Sequence, residues 1–163
     1  MANASIKNIN LRPAAPADAD AVLGLVPELV AFGPPAWRSV SQMIDTDTLV
    51  IGRALQGLTD GAAIFVAEDD NGTLVGFVHV CAEIDYYTRS RCGHIADLVV
   101  APDARGRGVG EALMASAEEW ARAEGYTMLT LNVFAGNTHA RALYDRAGFR
   151  AETTRYVKEL PSD

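Results

Sequence analysis

The sequence predicts a mixed fold of the α/β (α+β) type: one central sheet, mostly antiparallel, with helices on both faces, in the order β-α-α-β-β-β-α-β-α-β. Three observations point there. Two period-two stretches flank "NG" at 71–72, which is a strong hairpin signal. Apolar residues recur at helical spacing in "VGEALMASAEEWARAEG" and again before the hairpin. In the second half, strand-like and helix-like stretches alternate, which brings strands into one sheet through helical crossovers.

Taken in order, "IKNINLRPA" alternates Ile6, Ile9 and Leu11 imperfectly and reads as a first strand. "PADADAVLGLVPELVAF" opens on cap-type aspartates and repeats Val22, Leu25, Val26 and Leu29, so it reads as a helix that Pro27 interrupts. After the break at "GPP", a second helix is expected from Trp37, with Val40, Ile44, Ile51, Leu55 and Leu58 on one face. "AAIFVAEDD" and "TLVGFVHVCAEID" are the hairpin strands, and "CGHIADLVVA" follows the connection "YYTRSR". A glycine-rich loop then leads into a helix whose face holds Val109, Leu113, Ala117, Trp120 and Ala121, stopped by Gly125. "YTMLTLNVF" reads as a strand, "NTHARALYDRAG" as a short helix, and "FRAETTRYVKEL" as a closing strand.

Size and composition narrow the function. The 163 residues suit a single domain spanning 1–163, large enough to bury a core without staples. The N-terminus lacks the pattern of a secretory leader and no apolar run is long enough to span a bilayer, so a cytoplasmic protein with no membrane role is expected. Cys81 and Cys92 are too few for a disulfide framework and lack metal-ligand spacing, so no metal is expected. A net charge of −7 argues against a nucleic-acid partner. The charge is also uneven: residues 1–88 hold 4 Lys/Arg against 11 Asp/Glu, whereas residues 89–163 hold 10 of each.

The basic residues concentrate in the half that contains "VVAPDARGRGVGEALM", residues 99–114. A dinucleotide fingerprint fails there, because Glu111 follows Gly110 where spacing would need a third glycine. A P-loop fails as well, since Gly-Glu-Ala replaces Gly-Lys-Ser/Thr. What remains is R-x-x-G-x-G at Arg105, Gly106, Arg107, Gly108, Val109 and Gly110, running from a strand into a helix start. Amides at a helix start are unpaired and carry partial positive charge, glycines admit anionic oxygens to them, and arginines add charge-assisted bonds.

Residues 137–149 read N-x-x-A-x-x-x-Y-x-x-x-G-F. With R-x-x-G-x-G some thirty residues earlier, this motif closely resembles the GNAT superfamily of acetyl-CoA-dependent N-acetyltransferases. The resemblance implies acetyl-CoA as cosubstrate, gripped at its pyrophosphate by loop 105–110 and along its pantetheine arm by strand 95–100. It implies an oxyanion donor among the backbone N–H groups of Leu98, Val99 and Val100, a cofactor contact at Asn137, and a leaving-group acid at Tyr144. A homodimer is an expectation from the resemblance alone.

Direct attack by an amine needs a base, because a lysine-type amine holds its proton to pH ~10.4. His94 stands where some members of that superfamily carry their base. Glu83, Asp97 and His79 are the other candidates, although an ideal strand would turn Asp97 to the face opposite His94. In the superfamily the first helices and the hairpin after the third strand wall the acceptor. Here Trp37, Tyr86, Tyr87, Glu83 and Asp85 would suit a cationic amine on a small molecule, peptide or protein. The competing reading is a catalytically silent acyl-CoA-binding module on the same fold.

Overall fold

Five strands stand side by side in chain order: β1 (Ile9–Pro13), β2 (Ala62–Asp69), β3 (Leu74–Ile84), β4 (Arg91–Val100) and β5 (Leu129–Leu131), in a computed structural model that describes residues 8–162. The first four are mutually antiparallel and β5 joins β4 in parallel. The β2–β3 turn is set by local chemistry. Asp69 accepts from the N–H groups of Asn71 and Thr73, both at 2.9 Å, and Gly72 takes the left-handed φ of 75° that the turn requires.

One face of the sheet is covered by α1 (Ala19–Gly24), the 3-10 turn Val26–Val30 and α2 (Val40–Leu55). Val22, Val26 and Ile51 pack there on Ile64, Val66, Phe77 and Val99. Pro27 stands in the first turn of the 3-10 segment and ends the α-helical run, as its missing N–H dictates. The other face is covered by α3 (Val109–Ala123), whose Val109, Leu113, Met114 and Ala117 pack on Val78, Val80 and Ile95. Leu143, Tyr144 and Ala147 of α4 (Thr138–Arg146) flank that cluster. Close approach of α3 to the sheet depends on Gly76, where a Cβ would lie 2.7 Å from the Val99 carbonyl oxygen and 3.1 Å from Leu113.

Arg12 ties the first layer together. It donates to both oxygens of Asp18, at 2.7 and 2.9 Å, and also pairs with Glu68 of β2. That bidentate contact, helped by the Ala15 N–H, holds the Asp18 carboxyl down to about 2.

The predicted α/β class and helix placement hold, and several element readings need correction. Ile6 lies outside the described residues, and the first strand is Ile9–Pro13. The second helix starts at Val40 rather than Trp37, with Ser39 capping it through the Gln42 N–H. Val40 and Leu58 are exposed, so only the middle of the expected apolar face is used. The expected strand 126–134 pairs over Leu129–Leu131 alone. The expected closing strand 149–160 pairs with no strand among the described residues. The left-handed turn at Gly148 and the anchoring of Phe149 on Tyr144 set the chain's exit from α4, and residues 150–162 are exposed.

Candidate active site

The site begins with an extra residue in β4. His79 of β3 faces Asp97, yet its neighbour Val80 faces Ile95, so Ala96 is a bulge without a partner. On β3, His79, Cys81 and Glu83 alternate onto one face, and their partners Asp97, His94 and Cys92 share it. The bulge therefore turns Asp97 to the same side as His94, the α1/α2 side, against the expectation for an ideal strand.

Beyond the bulge, β4 and β5 part. Their ladder holds only Gly93 to Leu129, His94 to Thr130 and Ile95 to Leu131. β4 continues to Val100 with no strand on its β5 side, which leaves its peptide groups on that side without a ladder. The fork opens onto a cavity of about 580 Å³. Ala96, Asp97 and Leu98 line it from β4, Asn132, Val133 and Phe134 from the end of β5, and Asn137, Ala140 and Tyr144 from α4. Trp37, Met43 and Asp47 close it from the α2 side, and Glu28, Leu29 and Phe32 from the 3-10 turn and the residues after it. Phe32 and Phe134 meet across its lip, with ring centroids 5.3 Å apart.

Within the cavity the groups differ in character. Asp97 receives the Nδ1–H of His79 at 2.8 Å, and the Nε2 of that buried histidine has no hydrogen-bond partner among the described residues. Burial, reinforced by the Asp97 charge, raises the Tyr144 hydroxyl above its usual range, so it stays protonated. Burial and the Asp97 charge also push the Asp47 carboxyl up to about 6. Asn137 caps α4 by accepting from the Ala140 N–H at 3.2 Å, and the residue lines the cavity.

His94 and Glu83 are not among the cavity's lining residues. The His94 ring donates through Nδ1 to Thr130 Oγ1 at 2.8 Å, and Thr130 in turn donates to the Gly93 carbonyl at 3.3 Å. Glu83 lies 3.4 Å from the same nitrogen. Burial lowers the His94 imidazole below its usual range, so it is neutral at pH 7. The side chains of Val99 and Val100 also stay out of the cavity, with Val99 in the core under α1 and α2. Tyr86 and Tyr87 stand exposed on the β3–β4 turn away from the cavity, and Asp85 is spent on that turn, accepting from the Thr88 N–H at 2.7 Å. These three residues, expected at the acceptor wall, are corrected to turn residues.

The glycine-rich loop follows β4 directly. Gly106 and Gly108 both adopt left-handed φ, 73° and 79°, with open space where a Cβ would extend from Gly106. Gly108 is the N-cap of α3 and no side chain caps the helix, so the first amides, from Val109 and Gly110 on, are left to an external acceptor. Gly110 itself gives room to Leu143, which a Cβ would approach at 3.1 Å. Arg105 donates to the Val100 carbonyl at 3.2 Å and to Glu28 at 2.7 Å, and Arg107 has no carboxylate partner among the described residues.

Sequence reasoning missed Asp47 and Glu28. The signal for Asp47 was there: it falls between Ile44 and Ile51 on the inward stripe of α2, where a carboxylate has no business in an ordinary apolar face. Among the described residues no cluster suited to a metal ion occurs, and no helix is long and apolar enough to cross a membrane.

Residues 34–149 match the acetyltransferase (GNAT) family. Over 156 residues, 94% of this chain and 99% of the relative, the sequence is 27% identical to YhfO, an uncharacterised N-acetyltransferase of Bacillus subtilis (strain 168). It is 32% identical over 90 residues to the aminoalkylphosphonate N-acetyltransferase of Salmonella typhimurium, covering 55% of this chain and 58% of that one. The fold superposes on the aminoglycoside N-acetyltransferase AAC(6')-Iy in complex with CoA with a TM-score of 0.71, 24% identity and 94% coverage of each chain.

Proposed function

The chain belongs to the acetyltransferase (GNAT) family and is an acetyltransferase enzyme, and from that premise we propose that it transfers the acetyl group of acetyl-CoA to a cationic primary amine by direct attack in a ternary complex. The cavity in the β4–β5 fork carries this reading, because it joins a carboxylate, a protonated phenol and unladdered strand amides beside an anion-ready helix start.

The residues suit coenzyme A. The open glycine turns, the uncapped α3 amides and the guanidinium groups of Arg105 and Arg107 form a cradle for a pyrophosphate. The peptide groups of Leu98, Val99 and Val100 facing the fork are free to pair with an amide-bearing arm. Bound acetyl-CoA supplies an acyl carbon activated by a good thiolate leaving group. Asp97 takes the proton from the acceptor's ammonium group, with His79 holding its carboxylate in place through Nδ1. A backbone N–H in Leu98–Val100 meets the charge that develops on the acyl oxygen. Tyr144 gives its proton to the departing sulfur as the new C–N bond replaces the C–S bond. Asn137 steadies the cofactor arm near α4. Asp47 supplies negative charge on the acceptor side of the cavity, which Trp37 also lines, while Glu28 there holds Arg105. His94 and Glu83 support the strand geometry from outside the cavity.

Free-thiol release from acetyl-CoA is the test, across amines, polyamines, aminoglycosides, amino acids and peptide N-termini. Acceptor-dependent release is expected, strongest with polycationic acceptors. Tight coenzyme A binding with no release from any acceptor would instead favour the silent acyl-CoA-binding module. Tyr144→Phe is expected to lower kcat by about 100-fold while leaving coenzyme A affinity nearly intact. An unchanged kcat removes the acid role.

A further inference from the structure

Arg105 opens the glycine-rich loop with its guanidinium already engaged. Nη2 donates to Glu28 at 2.7 Å and Nε donates to the Val100 carbonyl at 3.2 Å. These two acceptors belong to different sides of the cavity. Glu28 lines it from the 3-10 turn Val26–Val30, on the acceptor side. The Val100 carbonyl belongs to the open edge of β4. The Ala101 N–H donates to the Val75 carbonyl of β3 at 2.8 Å, and a trans peptide aims the carbonyl of the same unit the opposite way, toward the fork. One guanidinium thus masks a carboxylate suited to a cation and a carbonyl suited to an amide-bearing arm.

Little holds Arg105 there. Its side chain is 41% exposed and that of Glu28 29%, and ion pairs open to solvent are weak. The two partners differ in freedom. Glu28 rides on a turn pinned by the buried Val26 and Val30, and Phe32 just beyond it meets Phe134 across the lip, so the carboxylate keeps its place. Arg105 is the partner that can turn away, on a long side chain at the start of a loop. A pyrophosphate at the α3 amides offers it more negative charge and more acceptor oxygens than one carboxylate does.

We propose that Arg105 is exchanged: it leaves Glu28 and Val100 for the cofactor's pyrophosphate, and the unmasked Glu28 receives a cationic group of the acceptor. The inference rests on the acetyl-transfer reading of the cavity. Each substrate then assists the other, because the cofactor frees the carboxylate and a cation on Glu28 keeps Arg105 from returning. Glu28 becomes a specificity-determining residue, selective for acceptors that carry positive charge and silent until the cofactor is in place.

Calorimetry with coenzyme A on the full chain tests the exchange without turnover. Glu28→Gln releases Arg105 in advance, so coenzyme A is expected to bind about threefold tighter than to the wild-type chain, the worth of an exposed ion pair. A wall merely damaged by the substitution would not tighten binding. Unchanged or weaker binding overturns the exchange. In an Arg105→Gln background the Glu28→Gln step should have no further effect. Tightening that persists there reflects overall charge and also overturns it. The acceptor half is read by repeating the titrations in excess putrescine as a cationic probe. Putrescine should tighten coenzyme A binding to the wild-type chain and not to Glu28→Gln. A wild-type affinity indifferent to putrescine, or a shift equal in both chains, overturns that half. Coenzyme A that binds none of these chains would sink the acetyl-transfer reading itself, an outcome distinct from binding that ignores Glu28.

Discussion

Asp47 is the residue whose presence stability alone does not explain. It occupies the inward stripe of α2, faces another carboxylate, and has no cation partner among the described residues. Its folded-state pKa, about 6, lies above the ordinary carboxylate value, so the proton favours the folded state. The resulting penalty is absent below about pH 4, grows between there and pH 6, and is complete above it. Asp47→Asn is therefore expected to raise Tm by about 2–4 °C at pH 7.5, the equivalent of about 1 kcal/mol once solvent screening of this half-open site is allowed for. The gain should fade toward pH 4. The same variant should raise KM for cationic acceptors, and thermal melts with initial rates check both halves. At this scale the sequence was partly legible: Tyr144 and Asn137 could be named from a motif, because helix spacing fixes their positions. Which way Asp97 faced could not, because a bulge depends on pairing between strands and leaves no local mark.

At the scale of elements, turns and helix ends were the most readable, since their chemistry is carried by neighbours in sequence. The Asn71–Gly72 turn, the Asn137 cap and the Gly106–Gly108 loop stand where their residue types put them. Gly108→Asp is expected to abolish measurable coenzyme A binding, because a carboxylate would sit among phosphate oxygens on a backbone at φ 79°. Retained affinity in calorimetry would remove the loop from the phosphate site. Gly76 serves packing instead. Gly76→Ala would thrust a methyl against the Val99 carbonyl and Leu113, and a loss of about 2–3 kcal/mol in denaturant unfolding is expected, without a change in cofactor affinity for the protein that remains folded. The edge strands were the hardest to read. β5 forms only three residues of ladder because β4 departs from it, and that parting is a property of the pair.

For the whole molecule, the uneven charge seen in the sequence acquires a place. The carboxylates of Glu28 and Asp47 come from the acidic first half and reach the cavity from the α1/α2 side, while the basic loop opens at the head of α3. A cationic acceptor and an anionic cofactor thus approach fields of opposite sign. KM for a polycationic acceptor is expected to rise several-fold between low and physiological ionic strength with kcat little changed, as screening shortens the reach of the field. Initial rates across a salt series measure this, and a KM indifferent to salt would detach steering from recognition.

The unpaired Ala96 has a consequence for how such a strand tolerates change. It acts as a phase shift: residues before and after it are read out on opposite rhythms. Deleting this one small alanine would leave every ionisable side chain of the enzyme in the sequence. It would also keep Asp97 opposite His79, because His94, Ile95 and Asp97 would then alternate regularly and the pairing of Val80 with Ile95 would run straight on to His79 with Asp97. A strand that instead took Ala96 into regular pairing would match this sequence at every position, yet its Asp97 would stand opposite Val78, with the carboxylate turned to the layer packed by α3.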